Sequence, residues 1–456
     1  MKFQGVKQMK KAIAVSVFLA AASLALAADI KEVKVPFKQF KLKNGLTVLL
    51  SEDHTAPTYS IAVTYNVGSR DEKHGRTGFA HLFEHMMFQG SENVARNEHS
   101  GLISANGGQD NGTTDEDRTL YFEQLPANQI DLGIFLEADR MRALAVTQFN
   151  LDNQRNAVQE ERRLRVDNQP YGKTFEAVNE TAYDNFGYKH SVVGSMEDLN
   201  AASLQDVQEF FKRYYAPNNA VVSIVGDFKT DEALAKIKKY FEDIPSQPPP
   251  PQPDMAEPQQ TAERRKTLED PFAQLPRIDI AYKIGPGNTP DYYALRVMSQ
   301  ILGAGQSSRL YQRLVKEQEM ATGAGAFAAD QRGPGLEQFF VMARPGKDLA
   351  AIEKAVYEEI AKIQNEPVTD DEMEKVRMVA RRGQVASAQS TLNRAISLAD
   401  NYTNFGDPNL INENYQKTTA VTKQDIMRVA KKYLTENNRT VIITMPKKAA
   451  PAGPAQ

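Results

Sequence analysis

Hydrophobic residues recur along the chain with two periods, and segments of each kind alternate. Residues 47–50 and 59–67 are β-rich runs, and Asn44-Gly45 is a hairpin signal just before the first of them. Helical periodicity follows at about 76–88, 127–144, 152–166 and 203–214. Strands mixed with helices predict an α+β fold in which helices pack on a mostly antiparallel sheet.

The pattern also repeats. A capped amphipathic helix, an Asn turn and a β-rich run occupy residues 203–225, and the same succession returns 219 residues later at 422–444. An earlier strand, 61–68, matches 278–285 at an offset of 217. Two nearly constant offsets predict an internal duplication, with two chance helix–strand units as the alternative.

The clearest change of composition lies between the two copies. Residues 245–262 are rich in Pro and Gln, which predicts an extended polyproline II linker that acts as a hinge. We therefore expect two homologous halves, an N-terminal one at 35–244 and a C-terminal one at 263–446. The last residues, 447–456, are expected to form a flexible tail.

Residues 1–27 have the three parts of a secretory signal peptide. Lysines precede an apolar run at 12–24, and Ala25-Leu26-Ala27 follows as a cleavage pattern. A retained membrane anchor is the alternative, but the run is shorter than the ~20 apolar residues of a membrane helix. We expect export to a bacterial periplasm, which the absence of cysteine suits, and no stable membrane insertion.

Composition and charge exclude other classes of protein. The chain has 456 residues, 41% of them hydrophobic and 25% charged, which is incompatible with a disordered or collagen-like protein. The formal net charge of −3 offers no broad attraction for nucleic acid, so no nucleic-acid partner is expected.

Two of the six histidines stand in the motif His81-Leu-Phe-Glu84-His85. Residues four apart lie on one face of a helix, so both imidazoles can hold one metal ion. Glu84 lies close to the same face and can touch a metal-bound water without being a ligand. The order His-x-x-Glu-His reverses that of the commoner zinc peptidases. The alternative is a helix with two ordinary core or surface histidines.

A catalytic zinc ion usually takes three protein ligands and leaves one position open. Glu160 and Glu161, on a helix expected to begin near Asp152, are candidates for the third ligand. They point about 100° apart on a helix, so only one of them can face the metal. Periodicity alone does not choose between them.

These motifs resemble those of the pitrilysin or insulinase family of zinc peptidases. The resemblance is strongest to bacterial members of this chain's size, 50.8 kDa, which are also similar to mitochondrial processing peptidase subunits. It covers about residues 35–445. Besides the histidine motif it rests on Gly68-Ser-Arg70, Gly107-Gly108, Asn111, Thr114 and the segment 214–219.

The resemblance implies that Glu161 is the third ligand and that each chain binds one Zn²⁺ ion. His81 and His85 would be the other two ligands, and Glu84 would be the general base. The implied activity is that of an endopeptidase which hydrolyses oligopeptides or unfolded polypeptides in an enclosed chamber.

The resemblance also implies how substrate and partner bind. The peptide would add as a strand near Asn111 and Thr114, although Asn111 can also be a turn residue. Arg313 would hold substrate from the second half, or is a charge on a helix surface. Gln154 and Met320 depart from the family, which commonly has glutamate and tyrosine there. Two chains would pair as a homodimer, or as a heterodimer with a related metal-free subunit.

Two alternatives to a peptidase follow. One is a non-catalytic structural or partner subunit of a related heteromeric peptidase or assembly, which Gln154 and Met320 keep open. The other is a periplasmic metal-binding or metal-transfer protein. Such proteins tend to have long His-rich or Asp-rich loops, which this chain lacks.

Overall fold

The computed structural model describes residues 33–447. The predicted signal peptide, 1–27, lies outside this range, as does the predicted tail beyond Lys447. The described residues from Val35 onward form one compact unit, so the boundaries expected for two separate domains stay predictions. Within 33–447, no helix has both the length and the apolar character needed to cross a membrane.

The first half contains a six-stranded sheet covered by helices. Its strands are β1 (Lys38–Lys41), β2 (Thr47–Glu52), β3 (Thr58–Tyr65), β4 (Gln109–Thr114), β5 (Thr119–Pro126) and β6 (Ala220–Gly226). Its helices are α1 (Phe79–Met86), α2 (Glu98–Ala105), α3 (Ile130–Ala143), α4 (Gln148–Arg162), α5 (Gly172–Ala182), α6 (Phe186–Lys189), α7 (Met196–Ala201), α8 (Leu204–Tyr214) and α9 (Thr230–Phe241). The strand order is β1-β2-β6-β3-β5-β4, and only the pair β2–β6 is parallel.

The second half repeats this arrangement with five strands. They are β7 (Arg264–Asp270), β8 (Arg277–Lys283), β9 (Ala321–Ala328), β10 (Leu336–Ala343) and β11 (Arg439–Pro446). Its helices are α10 (Pro290–Gly303), α11 (Leu349–Asn365), α12 (Asp370–Gln389), α13 (Thr391–Phe405), α14 (Leu410–Thr419) and α15 (Lys423–Tyr433). The order β7-β11-β8-β10-β9 matches β2-β6-β3-β5-β4, and again only the first pair is parallel. The predicted α+β fold, with two homologous halves and mostly antiparallel sheets, is confirmed.

The duplication extends to single hydrogen bonds. Asn219 closes the turn after α8 by donating from Nδ2 to two backbone carbonyl groups, at 2.9 and 3.1 Å. Asn438 makes the same pair of bonds after α15, at 2.8 and 2.9 Å. Ser203 and Thr422 each close a capping box at the start of these two helices. The helix cap and the Asn turn that repeat in the sequence at an offset of 219 residues therefore form the same hydrogen bonds in both halves.

The two halves exchange a helix. Helix α13 of the second half packs Leu398 and its neighbours against the first sheet. Helix α5 of the first half packs Val178 and its neighbours against the second sheet. Each sheet is thus covered by its own helices on one face and by a helix of the other half on the other face. A wide rotation of the halves would expose both apolar clusters, so this packing does not fit the predicted hinge.

The linker is bound to the halves that it joins. The chain between Phe241 and Arg264 forms neither helix nor strand, as expected for residues 245–262. Asn218 and Gln247 exchange two hydrogen bonds, at 2.7 and 3.0 Å. Glu257 forms an ion pair of 2.7 Å with Lys283 of β8. The segment is therefore fixed at both of these points.

Helices α1 and α4 begin at other residues than predicted, for local reasons. The metal-motif helix α1 begins at Phe79 rather than near 76, because Gly78 has a φ angle of +87° that stops the helix. Helix α4 begins at Gln148 rather than 152, because Thr147 accepts a hydrogen bond from the N–H group of Asn150 and caps it.

Candidate metal centre

A buried carboxylate holds the N-terminus of α1. Glu72 accepts hydrogen bonds from the backbone N–H groups of Gly78 and Ala80, both at 2.8 Å. Nε2 of His190 lies 3.0 Å from the same carboxylate. Burial is the largest single effect on the pKa of His190 and lowers it, but the hydrogen bond and charge of Glu72 and two backbone hydrogen bonds together outweigh burial, and the net shift is upward. An anion at a helix N-terminus is favourable, so α1 is held firmly where it presents its histidines.

Three donor groups converge beside α1. Nε2 of His85 lies 3.1 Å from Oε2 of Glu161, and Nε2 of His81 lies 3.5 Å from the same oxygen. The donor atoms of the three residues all lie within 4.8 Å of one another. Glu161 comes from the last turn of α4, far from the histidines in sequence. Folding therefore brings together the residues that the resemblance pairs as ligands.

The chemistry of this donor set fits a zinc ion, since two imidazoles and one carboxylate form a common zinc site. Burial and the neighbouring His85 lower the pKa of His81 to about 4, which keeps a ring lone pair available for a metal. A hydrogen bond with His85 lowers the pKa of Glu161, so this carboxylate is ionised. Nδ1 of His81 is buried and has no hydrogen-bond partner within 33–447.

The neighbouring Glu160 points away from the donor group. Its side chain is 59% exposed, against 16% for Glu161, and its carboxylate forms an ion pair of 2.9 Å with Arg163. The structure thus separates the two candidates that periodicity left open.

Glu84 lies on the same helix and is held by the edge strand β4. Oγ1 of Thr114 donates a hydrogen bond of 2.7 Å to Oε2 of Glu84. Burial raises the pKa of Glu84, and the bond from Thr114 acts in the opposite direction. Gly112 permits this close approach, because a Cβ atom there would lie 2.9 Å from Cγ of Glu84.

The cavity beside α1 has a volume of about 620 Å³ and is lined by the three donor residues and by Glu84. Its walls also include Phe88, Val193 and Gln154, the last of which donates from Nε2 to Oδ1 of Asn153. Cavities of this size accommodate small ligands or part of a peptide. The cleft is therefore large enough for the predicted class of substrate.

Arg165 is a residue of this cleft that sequence reasoning missed. Its Nη1 lies 2.6 Å from Oε1 of Glu161, while Oε2 of Glu161 faces the two histidines. The spacing of four residues from Glu161 was an available signal. It was ambiguous, because such pairs are common on helix surfaces.

The residues predicted to bind substrate fall into two groups. Asn111 and Thr114 lie on β4, at one edge of the first sheet, and line the cavity. Arg313 lies in the second half, on the short π-helix Tyr311–Glu317. It forms an ion pair of 2.8 Å with Glu359 and does not line the cavity. Met320 packs against the core of that half. These contacts favour a helix-surface charge for Arg313, whose role toward substrate stays a prediction.

A second cluster of donor atoms lies in the first half. His99, Glu123 and Glu137 are buried, and their donor atoms also lie within 4.8 Å of one another. Arg140 is equally buried and forms an ion pair with Glu137, while its guanidinium lies 4.5 Å from the ring centre of Tyr121. A guanidinium already supplies the positive charge here, so we interpret the cluster as a buried ion network.

The fold and the site together define a class: a two-sheet α+β protein with a His-x-x-Glu-His helix in its first half. The family profile described as Insulinase (Peptidase family M16) matches residues 47–195, and the profile described as Peptidase M16 inactive domain matches residues 201–379. The chain belongs to peptidase family M16, the pitrilysin or insulinase family. The first match contains the donor group, and the second lies mainly in the half without the metal motif.

Similar proteins cover almost the same length. Zinc protease PqqE from Helicobacter pylori is 28% identical over 408 residues, which is 89% of this chain and 92% of the relative. A probable mitochondrial-processing peptidase subunit beta from Arabidopsis thaliana is 23% identical over 86% of this chain and 75% of its own. The crystal structure of a protease from Helicobacter pylori, 28% identical, matches with a TM-score of 0.87 and covers 91% of this chain and all (100%) of that one.

Other solved structures share the fold at lower identity. A peptidase M16 inactive domain from Pseudomonas fluorescens matches with a TM-score of 0.79 at 17% identity, covering 91% of this chain and 99% of that one. Complex III2 from Candida albicans contains a chain that matches with a TM-score of 0.74 at 15% identity, covering 89% of this chain and 95% of that one. These two structures therefore share the fold of this chain.

Proposed function

We propose that the chain is a zinc-dependent endopeptidase that hydrolyses oligopeptides or unfolded polypeptides. The observation that carries the proposal is the convergence of His81, His85 and Glu161 beside Glu84, in one cleft. Relatives named as zinc proteases support the same activity.

One Zn²⁺ ion per chain would be held by His81, His85 and Glu161. When bound, the ion supplies a positive charge that polarises the scissile carbonyl and lowers the pKa of the attacking water. Glu84 accepts the proton of this water and passes it to the leaving nitrogen atom. Thr114 keeps the Glu84 carboxylate in place through its 2.7 Å hydrogen bond.

The edge strand β4 is proposed to bind the substrate. It pairs with β5 on one side, and within 33–447 no strand pairs with its other side. An extended peptide can add there through backbone hydrogen bonds, which makes recognition tolerant of sequence. Asn111 and Thr114 would flank the bound strand, and Arg313 would contribute only from a different chain or after a rearrangement.

The location and the partner are part of the same proposal. The signal-like residues 1–27 support export to the periplasm. A homodimer, or a heterodimer with a metal-free relative, would enclose the cleft as a chamber. The similarity to a processing peptidase subunit supports pairing of this kind.

A non-catalytic subunit is the second candidate. It is favoured by Gln154, which stands where the family commonly has a glutamate. The profile for an inactive M16 domain matches residues 201–379, mainly in the half without the metal motif, and fits both candidates. The two candidates can be distinguished by one measurement, because an endopeptidase hydrolyses a peptide and a non-catalytic subunit does not.

Cleavage of a quenched fluorescent peptide by the wild type and by Glu84→Gln tests the proposal, with zinc content measured for both. We expect equal zinc in the two proteins and loss of cleavage in the variant. If neither protein cleaves although both contain zinc, the non-catalytic candidate is correct. Equal cleavage by both would refute the role of Glu84.

A further inference from the structure

An ion pair connects the second half of the chain to strand β4. Nε of Arg118, the residue just before β5, lies 3.2 Å from Oδ1 of Asp400 on α13. Nη2 of Arg118 donates to Oδ2 of the same carboxylate at 3.4 Å. The two side chains are 13% and 22% exposed, so solvent weakens this interaction less than it does an ordinary surface pair.

Arg118 also holds β4 directly. Its Nη1 donates to the backbone carbonyl of Thr113 at 3.0 Å and to Oγ1 of Thr113 at 2.8 Å. The next residue, Thr114, carries the hydrogen bond to Glu84. Polar contacts therefore run from Asp400 through Arg118 to Thr113, and the adjacent residue of β4, Thr114, contacts the Glu84 carboxylate.

The other acid beside Arg118 cannot replace Asp400. Asp115 lies 3.3 Å from Nε of Arg118, but it belongs to the turn between β4 and β5. Its Oδ1 accepts from the backbone N–H groups of Asp117 and Arg118 at 2.7 and 2.8 Å and so closes that turn. Within 33–447, Asp400 is the residue outside the hairpin that forms an ion pair with this guanidinium.

The helix that carries Asp400 is well fixed. Helix α13 packs on the first sheet through Ala395, Leu398 and Ala399, all of them buried. Arg394, one and a half turns earlier on α13, forms a second ion pair with the first half, to Asp53. That pair lies at the end of β2 and does not involve β4.

We propose that Asp400 of the second half is a positioning residue for the active site, acting through Arg118 on β4 and so on Glu84. The second half then contributes to catalysis without supplying a metal ligand. The proposal rests on the proposed peptidase function for its effect on turnover, but the ordering of β4 can be measured independently of activity.

The test compares Asp400→Asn with Asp53→Asn in the full mature chain. Both variants remove one carboxylate charge that pairs with an arginine across the two halves, and both carboxylates are largely buried, so Asp53→Asn is a matched control. Hydrogen–deuterium exchange of peptides covering Gln109–Thr114 reports the order of β4. Zinc content, kcat and KM are measured on the same samples.

We expect exchange in this strand to be at least fivefold faster in Asp400→Asn than in the wild type, and unchanged in Asp53→Asn. We expect kcat of Asp400→Asn to fall at least fivefold with zinc content unchanged, and kcat of Asp53→Asn to stay within twofold. If Asp400→Asn does not fold, Asp400→Ser, which also removes the carboxylate but leaves Arg118 and its bonds to Thr113 in place, replaces it. Equal exchange of β4 in the position-400 and position-53 variants overturns the proposal. An inactive wild type refutes the peptidase function instead, and the exchange result still decides the role of Asp400.

Discussion

Thr114 and Glu84 are joined by a hydrogen bond of 2.7 Å between the edge strand β4 and the metal-motif helix α1. The bond fixes one oxygen of the carboxylate that we propose as the general base. A hydrogen bond to a charged group is typically worth about 1.5–3 kcal/mol. We expect Thr114→Val, which removes the donor but keeps the shape, to lower kcat by roughly tenfold or more.

Thr114→Ser is the matched control, because it keeps the hydroxyl group and loses only a methyl group. We expect it to retain kcat within about threefold. Zinc content should equal that of the wild type in both variants, since neither change touches a donor atom. Equal kcat values for the valine and serine variants would show that the bond has no part in turnover.

Gly112 allows β4 to approach Glu84. A Cβ atom at this position would lie 2.9 Å from Cγ of Glu84 and 3.3 Å from Cδ1 of Tyr121. Gly112→Ala must therefore displace either the Glu84 side chain or the strand, and we expect kcat to fall by about tenfold or more. Steady-state kinetics together with zinc analysis measures the effect.

Gly323 provides a control in the corresponding edge strand of the second sheet. A Cβ atom there meets nothing within 4 Å among the described residues. Gly323→Ala should leave kcat and zinc content unchanged. A similar loss of activity in both alanine variants would mean that the close contact at Gly112 is not its cause.

Local patterns of the sequence predict much of this molecule. The alternation of strands and helices, the duplication and the helix carrying His81 and His85 all depend on neighbouring residues, which a sequence displays directly. The choice of Glu161 over Glu160 came from the family resemblance, since periodicity cannot tell which of two adjacent side chains faces a distant helix.

Other features depend on contacts between distant segments. The exchange of α5 and α13 between the halves, and the pairing of Arg118 with Asp400, join parts of the chain that show no matching pattern. The buried ion network around Arg140 could not be predicted either. In the sequence, the charged residues of α3 and β5 resemble surface residues, and only the folded structure shows that they are buried. The hinge role of the linker stays a prediction. The packing of each half against the sheet of the other does not fit it, and no local pattern reveals that packing.

A buried acid of the second half should make stability depend on pH. Burial raises the pKa of Glu337 from 4.5 to about 8, and Ser299, whose hydroxyl is 2.7 Å away, opposes the shift only partly. The folded state then binds a proton more tightly than the unfolded state. The resulting stability is complete below about pH 4.5 and is lost as the pH rises toward 8.

Glu337→Gln removes this titration while keeping the size of the side chain. We expect the Tm of the variant, relative to the wild type, to rise by a few degrees between pH 5 and pH 9. Differential scanning calorimetry of both proteins at the two pH values measures the change, and the difference between them cancels the other titrating groups. A Tm difference that does not vary with pH would contradict the prediction.

Metal binding by His81, His85 and Glu161 underlies the proposed activity, and a comparison of Glu161→Ala with Glu160→Ala tests it. The two variants delete adjacent carboxylates, of which only Glu161 lies at the histidines. Zinc is measured by mass spectrometry of the purified chain. We predict one zinc per chain in the wild type and in Glu160→Ala, and loss of most of the metal together with peptide hydrolysis in Glu161→Ala. A wild type without stoichiometric metal, or a Glu161→Ala variant with unchanged zinc and turnover, would contradict the account.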